Sequence, residues 1–141
     1  MEQVTMPEVQ GLGDPGGVLF TLAAAKENRL SVDKDLFDTY LFLLRSDGVL
    51  TFNYAFRFQP LPVSDLLRDD LYNLTQAGFV AASSPVLITE FGIEWLKHKL
   101  PWAKAQPLVD AVGRHLAGFV RSSRRDLSRA VYARLTRPIP G

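Results

Sequence analysis

The residues able to do chemistry are few, and their spacing argues against a reaction centre. His98 and His115 are the only histidines. They are too few and too far apart for a metal-ligand set. His98 lies between Lys97 and Lys99 near an expected helix end, where the helix dipole favours positive charge. Asp69 and Asp70 are adjacent. On a helix, neighbours point about 100° apart, so the two do not converge on one bond. Asp65 and Asp69 stand at i and i+4 and can share a face, but nothing beside them marks a metal or a substrate. Serine, histidine and aspartate all occur, though never in the nucleophile-elbow pattern G-x-S-x-G. There is no cysteine, which removes thiol catalysis, zinc–cysteine sites and a disulfide framework together. The string Gly11-Leu12-Gly13-Asp14-Pro15-Gly16 spells G-x-G-x-x-G. That motif holds a dinucleotide only between a buried strand and a helix N-terminus. No apolar strand precedes it here, and Pro15 falls inside the turn. The expectation is no catalysis, no cofactor and no metal.

Charge is the more informative chemistry. Residues 1–113 hold 9 Lys/Arg and 14 Asp/Glu, for −5. Residues 114–141 hold Arg114, Arg121, Arg124, Arg125, Arg129, Arg134 and Arg137 against Asp126, for +6. Arginine pairs its fork of donors with phosphate or carboxylate, so this tail suits duplex DNA or an acidic protein partner. Arg114, Arg121, Arg125 and Arg129 step by 7, 4 and 4 and share a face if the last two helices are continuous. Ser122-Ser123 argues for an interruption.

The elements that position these residues read mostly as helices. At 141 residues and 47% apolar, one domain with a real core is the default. Residues 1–15 read as a flexible leader, 16–100 as the core and 101–137 as a helical extension. A first helix covers residues 17–28, and a second follows Ser31 with Phe37, Tyr40, Leu41 and Leu44 as one stripe. Residues 49–58 alternate at period two, with Leu50, Phe52, Tyr54, Phe56 and Phe58 on one face of a half-buried strand. Pro60 and Pro62 break it. Ser64 caps a third helix over residues 64–77, striped by Leu67, Leu71 and Leu74 and closed at Gly78. Phe79-Val80 and Val86-Leu87-Ile88 flank a small polar turn, a hairpin. Thr89 opens a fourth helix expected to pack through Phe91, Trp95 and Leu96. Leu108, Val109, Val112, Leu116 and Val120 stripe a fifth. Ser123-Arg124-Arg125-Asp126 has capping-box form and opens a sixth.

This order is that of a winged helix-turn-helix: an α+β chain, mostly α, with a small β-hairpin and two extra C-terminal helices. The fold suggests DNA binding, and the third helix is then the reader. Its base-reading candidates are Arg68, Asn73 and Gln76. The phosphate candidates are Arg114, Arg121, Arg124, Arg125 and Arg129. Against this, Asp65, Asp69 and Asp70 outnumber Arg68 on that helix, for −2, and residues 81–85 contain no basic residue. A duplex repels such a helix.

Several segments carry a family resemblance. Val18-Leu19-Phe20-Thr21-Leu22, then Leu67-Arg68-Asp69-Asp70-Leu71-Tyr72-Asn73-Leu74-Thr75-Gln76-Ala77-Gly78, then Ile88-Thr89-Glu90-Phe91-Gly92, resemble the YwgA-like winged-helix proteins and the antitoxin-associated Panacea (SocA-like) domains. Asp126-Leu127-Ser128-Arg129-Ala130-Val131-Tyr132 resembles that family's last helix. The turn Leu61-Pro62-Val63-Ser64 departs from the family's Gly-Pro-Tyr-Ser, which puts a binding role for that turn in doubt. The resemblance spans roughly residues 17–135 and implies a small regulatory or adaptor protein without a reaction or cofactor.

Two functions follow as expectations. One is a dimeric DNA-binding regulator. The other is a protein-interaction adaptor or antitoxin-like module gripping an acidic partner. Trp102, Leu108, Val112 and Leu116 are the expected seam of a homodimer. The acidic N-terminus lacks signal-peptide layout, and no apolar run approaches the roughly 20 residues a membrane helix needs. The expectation is a cytoplasmic protein that avoids the membrane.

Overall fold

Serine and threonine side chains cap three of the helix starts in this chain. In the computed structural model, which describes residues 3–137, seven helices and two small antiparallel hairpins are formed. The helices are α1 (Met6–Gln10), α2 (Gly13–Glu27), α3 (Phe37–Ser46), α4 (Asp65–Gln76), α5 (Glu90–Lys99), α6 (Trp102–Ala117) and α7 (Arg124–Leu135), with a 3-10 turn at Lys34–Leu36. Strands β1 (Arg57–Phe58) and β2 (Pro62–Val63) pair in one hairpin, β3 (Val80–Ala82) and β4 (Val86–Ile88) in the other. The class is α+β and mostly α.

Helix α2 is the axis of the core. Every residue from 16 to 25 is buried, because α1, α4, α5, α6 and β4 surround it. A helix apolar on all sides is a buried helix. Gly17 has a specific reason to be glycine: a Cβ there would stand 2.9 Å from the Phe52 ring. Gly17, just past the glycine-rich string, thus allows a close approach of Phe52 to α2.

The described part of the expected leader packs on the core. Val4 and Val9 are buried in the core, and the Val4 amide donates to the Lys104 carbonyl at 2.9 Å. Two apolar side chains with a cleft to fill outweigh the turn-forming glycines around them. The division at residue 101 separates no cores either. Helix α6 lies along α2, and its buried residues join the same cluster.

The expected strand over 49–58 is only partly a strand. Arg57–Phe58 alone joins a ladder, with Arg57 opposite Val63 and Phe58 opposite Pro62. The alternation is nonetheless real: Leu50, Phe52 and Tyr54 are buried, while Asn53 and Ala55 are exposed. Period two reports which side is covered, and among the described residues no second strand pairs with residues 50–56. The Asn53 amide instead donates to the Asp14 carboxylate at 3.0 Å. Phe58 is exposed, its ring edge-on to Phe42 at 5.5 Å.

Other starts and stops follow local chemistry. Asp33, rather than Ser31, caps the turn leading into α3, accepting from the Asp35 amide at 2.8 Å. The Ser64 hydroxyl accepts from the Leu67 amide at 3.3 Å and opens α4. Leu67, Leu71 and Leu74 face inward, and Gly78 takes a φ of +84° just past the helix end. That left-handed conformation suits glycine. Thr89 accepts from the Gly92 amide at 3.1 Å, and Ser123 from the Asp126 amide at 3.1 Å. Residues 118–123 separate α6 from α7, so Arg114 and Arg121 do not extend the arginine face of α7. Leu96 is buried as expected, but Phe91 is exposed. Phe91 points away from the buried Gly92 and Leu96 side of α5 and meets the Phe79 ring at the surface.

Candidate functional site

Helix α4 presents a polar outer side. At 100° per residue, Asp65, Asp69, Tyr72, Asn73 and Gln76 fall opposite the leucine stripe. Asp65 accepts from Arg57 at 3.1 Å, and this cation holds its carboxyl below the usual carboxylate range. Arg68, the one cation of α4, is turned toward α3: its Nε stands 3.7 Å from the Asp38 carboxylate. Asp38 is buried and also accepts from the Ser64 amide at 2.8 Å. Burial pushes its carboxyl up, and the Ser64 amide and the Arg68 charge oppose that.

Between the 3-10 turn and α4 runs an open groove of about 500 Å³. Lys34, Asp35, Asp38 and Arg68 bring both signs of charge to it, and Tyr72, Thr75 and Gln76 complete the α4 wall. Of the expected base readers, Arg68 and Gln76 line this groove, while Asn73 is exposed outside it. Asp70 is not free for chemistry. It accepts from the Tyr54 hydroxyl at 2.5 Å, and burial together with that bond pushes the phenol well up. Tyr40 is buried, and among the described residues its hydroxyl has no partner. Burial, then the Asp33 charge, pushes it up to about 12, with Arg124 opposing.

The arginines of the C-terminal third divide into two groups. Arg134 spans both oxygens of Asp47, Nε to Oδ1 at 3.0 Å and Nη2 to Oδ2 at 2.9 Å. Arg137 donates to Oδ1 at 3.3 Å, and His115 Nε2 lies 2.7 Å from Oδ2. The Arg134 guanidinium also covers the Phe119 ring at 5.4 Å. One carboxylate at the end of α3 therefore fastens the ends of α6 and α7. Burial by itself would raise the Asp47 carboxyl. Hydrogen bonds from Arg134 and His115 and the Arg134 charge outweigh it and hold the group at about 2. Neither Arg134 nor Arg137 stood out from the other arginines in the sequence. The only signal was Asp47 in a turn, with its three partners far along the chain.

Arg114, Arg121, Arg124, Arg125 and Arg129 are exposed. Only Arg129 meets an acid in its own helix, Asp126 at 4.0 Å. These arginines are positive charges that the fold leaves at the surface.

The expected dimer seam is in part inside the chain. Val112 and Leu116 are buried against the rest of this chain, and Leu108 is half-buried. The α6 stripe faces α2 and α3, so it closes the core. Trp102 is half-buried, edge-on to Phe20 at 5.9 Å, with Nε1 donating to Glu27 at 3.0 Å. It too works within the chain. Among the described residues there is no group of three His, Cys, Asp or Glu placed to hold a metal, and no helix long and apolar enough to cross a membrane.

No protein-family model, no curated protein and no solved structure matches this chain. What the surface can do is set by its own residues.

Proposed function

We propose that this chain is a non-catalytic recognition module of winged-helix type, in which α4 and the β3–β4 hairpin serve as scaffold and an acidic protein partner is held by the exposed arginines of residues 114–129. The observation that carries this reading is the fate of α4. Its outer side offers Asp65 and Asp69, its one arginine is drawn to Asp38, and residues 81–85 add no cation. A helix so charged is driven away from a phosphate backbone. The arginine surface lies on other elements and remains free. Carboxylates suit it, since each guanidinium can grip one through two parallel bonds.

A DNA-binding regulator is the second reading, favoured by the five exposed arginines at 114, 121, 124, 125 and 129, which could equally meet phosphates. One experiment separates the two. Titrate the chain with a glutamate-rich peptide by fluorescence anisotropy, and in parallel with random duplex in a mobility shift at two salt concentrations. The adaptor reading expects saturable peptide binding, its loss in Arg121→Glu/Arg125→Glu/Arg129→Glu, and no duplex shift at low salt. A duplex shift that collapses as salt rises, and is lost in the same variant, replaces it with the DNA reading.

A further inference from the structure

Helix α5 turns Gly92 and Leu96 inward. Its outer side carries Phe91, Glu94 and His98, with the half-buried Trp95 at its flank, at i, i+3, i+7 and i+4, the spacing of one helical face. Phe91 is 57% exposed. The Phe79 ring stacks on Phe91 at 4.9 Å and meets Trp95 edge-on at 5.8 Å. The hairpin continues this strip. Val80 pairs with Ile88 and both are buried, so Ala81 and Leu87 point outward, and Phe79 shares their side. Leu87 is 47% exposed. Isolated exposed apolar residues are ordinary, but a contiguous aromatic strip marks an interaction surface.

The charges around the strip say what fits it. Helix α5 is acidic in its first half, with Glu90 and Glu94, and basic in its last turn, with Lys97, His98 and Lys99. Lys26 takes one oxygen of Glu90 at 3.1 Å and leaves the other open. We infer that a second copy of this chain docks on the α5 face, the two helices antiparallel about a two-fold axis beside Trp95. That arrangement sets the acidic half of each α5 against the basic half of the other and opposes the two helix dipoles. It buries Phe91 and Trp95 at the centre, where aromatic residues carry most of an interface's energy. Each contact occurs twice, as a closed two-fold interface requires. The association is independent of whatever the arginine surface binds.

Sedimentation velocity on the full chain tests this. The chain self-associates at concentrations on the order of 100 µM or below, and Phe91→Glu weakens the association by at least about tenfold. Phe91 is already exposed, so this variant keeps its helix content and melting temperature. Glu94→Lys alone, and Lys97→Glu/Lys99→Glu alone, each dissociate, because like charges then meet. Mixing the two restores a dimer containing one of each, since both cross-pairings become attractive. A monomer throughout, an association indifferent to Phe91→Glu, or a mixture that fails to re-associate overturns the inference.

Discussion

The two ends of α7 use the same residue for opposite purposes. At its C-terminal end, Arg134 spans Asp47, and Arg137, just past the helix, joins it there. At its N-terminal end, Arg124, Arg125 and Arg129 stand in solvent with at most one weak neighbour. The difference lies in what faces each end. The last turn meets the end of α3, where an aspartate waits. Among the described residues, the first turn pairs with no carboxylate outside its own helix. A sum of charges along residues 114–141 therefore overstates the positive surface, because part of it is spent inside the fold. The same holds for α4, whose single arginine serves Asp38.

Three predictions bear on this division, the largest first. Asp47→Ala leaves Arg134 half-buried with no counter-charge. We expect a loss of about 3 kcal/mol, read as a lower urea midpoint with an unchanged slope, and a loosened α7. A loss below about 0.5 kcal/mol, the range of an ordinary surface change, would erase the distinction between the two ends.

Acid comes next. The Asp47 carboxyl is lower in the folded chain, about 2, than its ordinary 3.8. Its stabilisation is therefore whole above about pH 4 and is lost as pH falls through about 2, a contribution of about 2 kcal/mol. Asp38 works in the other direction: its folded value is raised, so protonation on the way down favours the folded state. Asp47→Asn should flatten the acid unfolding profile, and Asp38→Asn should steepen it. Profiles that move together would refute this assignment of signs.

The smallest effect belongs to the free end. Arg124→Ala, Arg125→Ala and Arg129→Ala should each change stability by less than about 0.5 kcal/mol, while the triple variant loses the glutamate-rich peptide. Thermal melting and anisotropy check the pair of outcomes together. A destabilised triple variant would mean that these arginines, too, are internal.

Much of the fold was legible because it is local. Ser64, Thr89 and Ser123 open helices through bonds to amides three residues on, and Gly78 closes one through its own backbone. The leucine stripe of α4 is a spacing, visible without knowing what it packs against. The strand over 49–58 was half legible for the same reason. Alternation gave the buried side, but a ladder needs a neighbour, and only Arg57–Phe58 has one. Phe91 was misplaced because spacing shows that a helix has an apolar side and cannot show whether anything covers it.

The candidate sites depended on distance along the chain. Asp47 lies 68 residues from His115 and 87 from Arg134, and Arg68 finds its acid on a different helix. Val112 and Leu116 have the same stripe whether α6 closes a core or a dimer. By itself the sequence determined where α4, α5 and α7 open and which residue types face inward. Only the tertiary structure decided which arginines remain free, which apolar stripe is consumed and which aromatic face is left open. Capping and periodicity act within a turn or two of the chain, whereas neutralising a charge or covering a face requires an element from elsewhere.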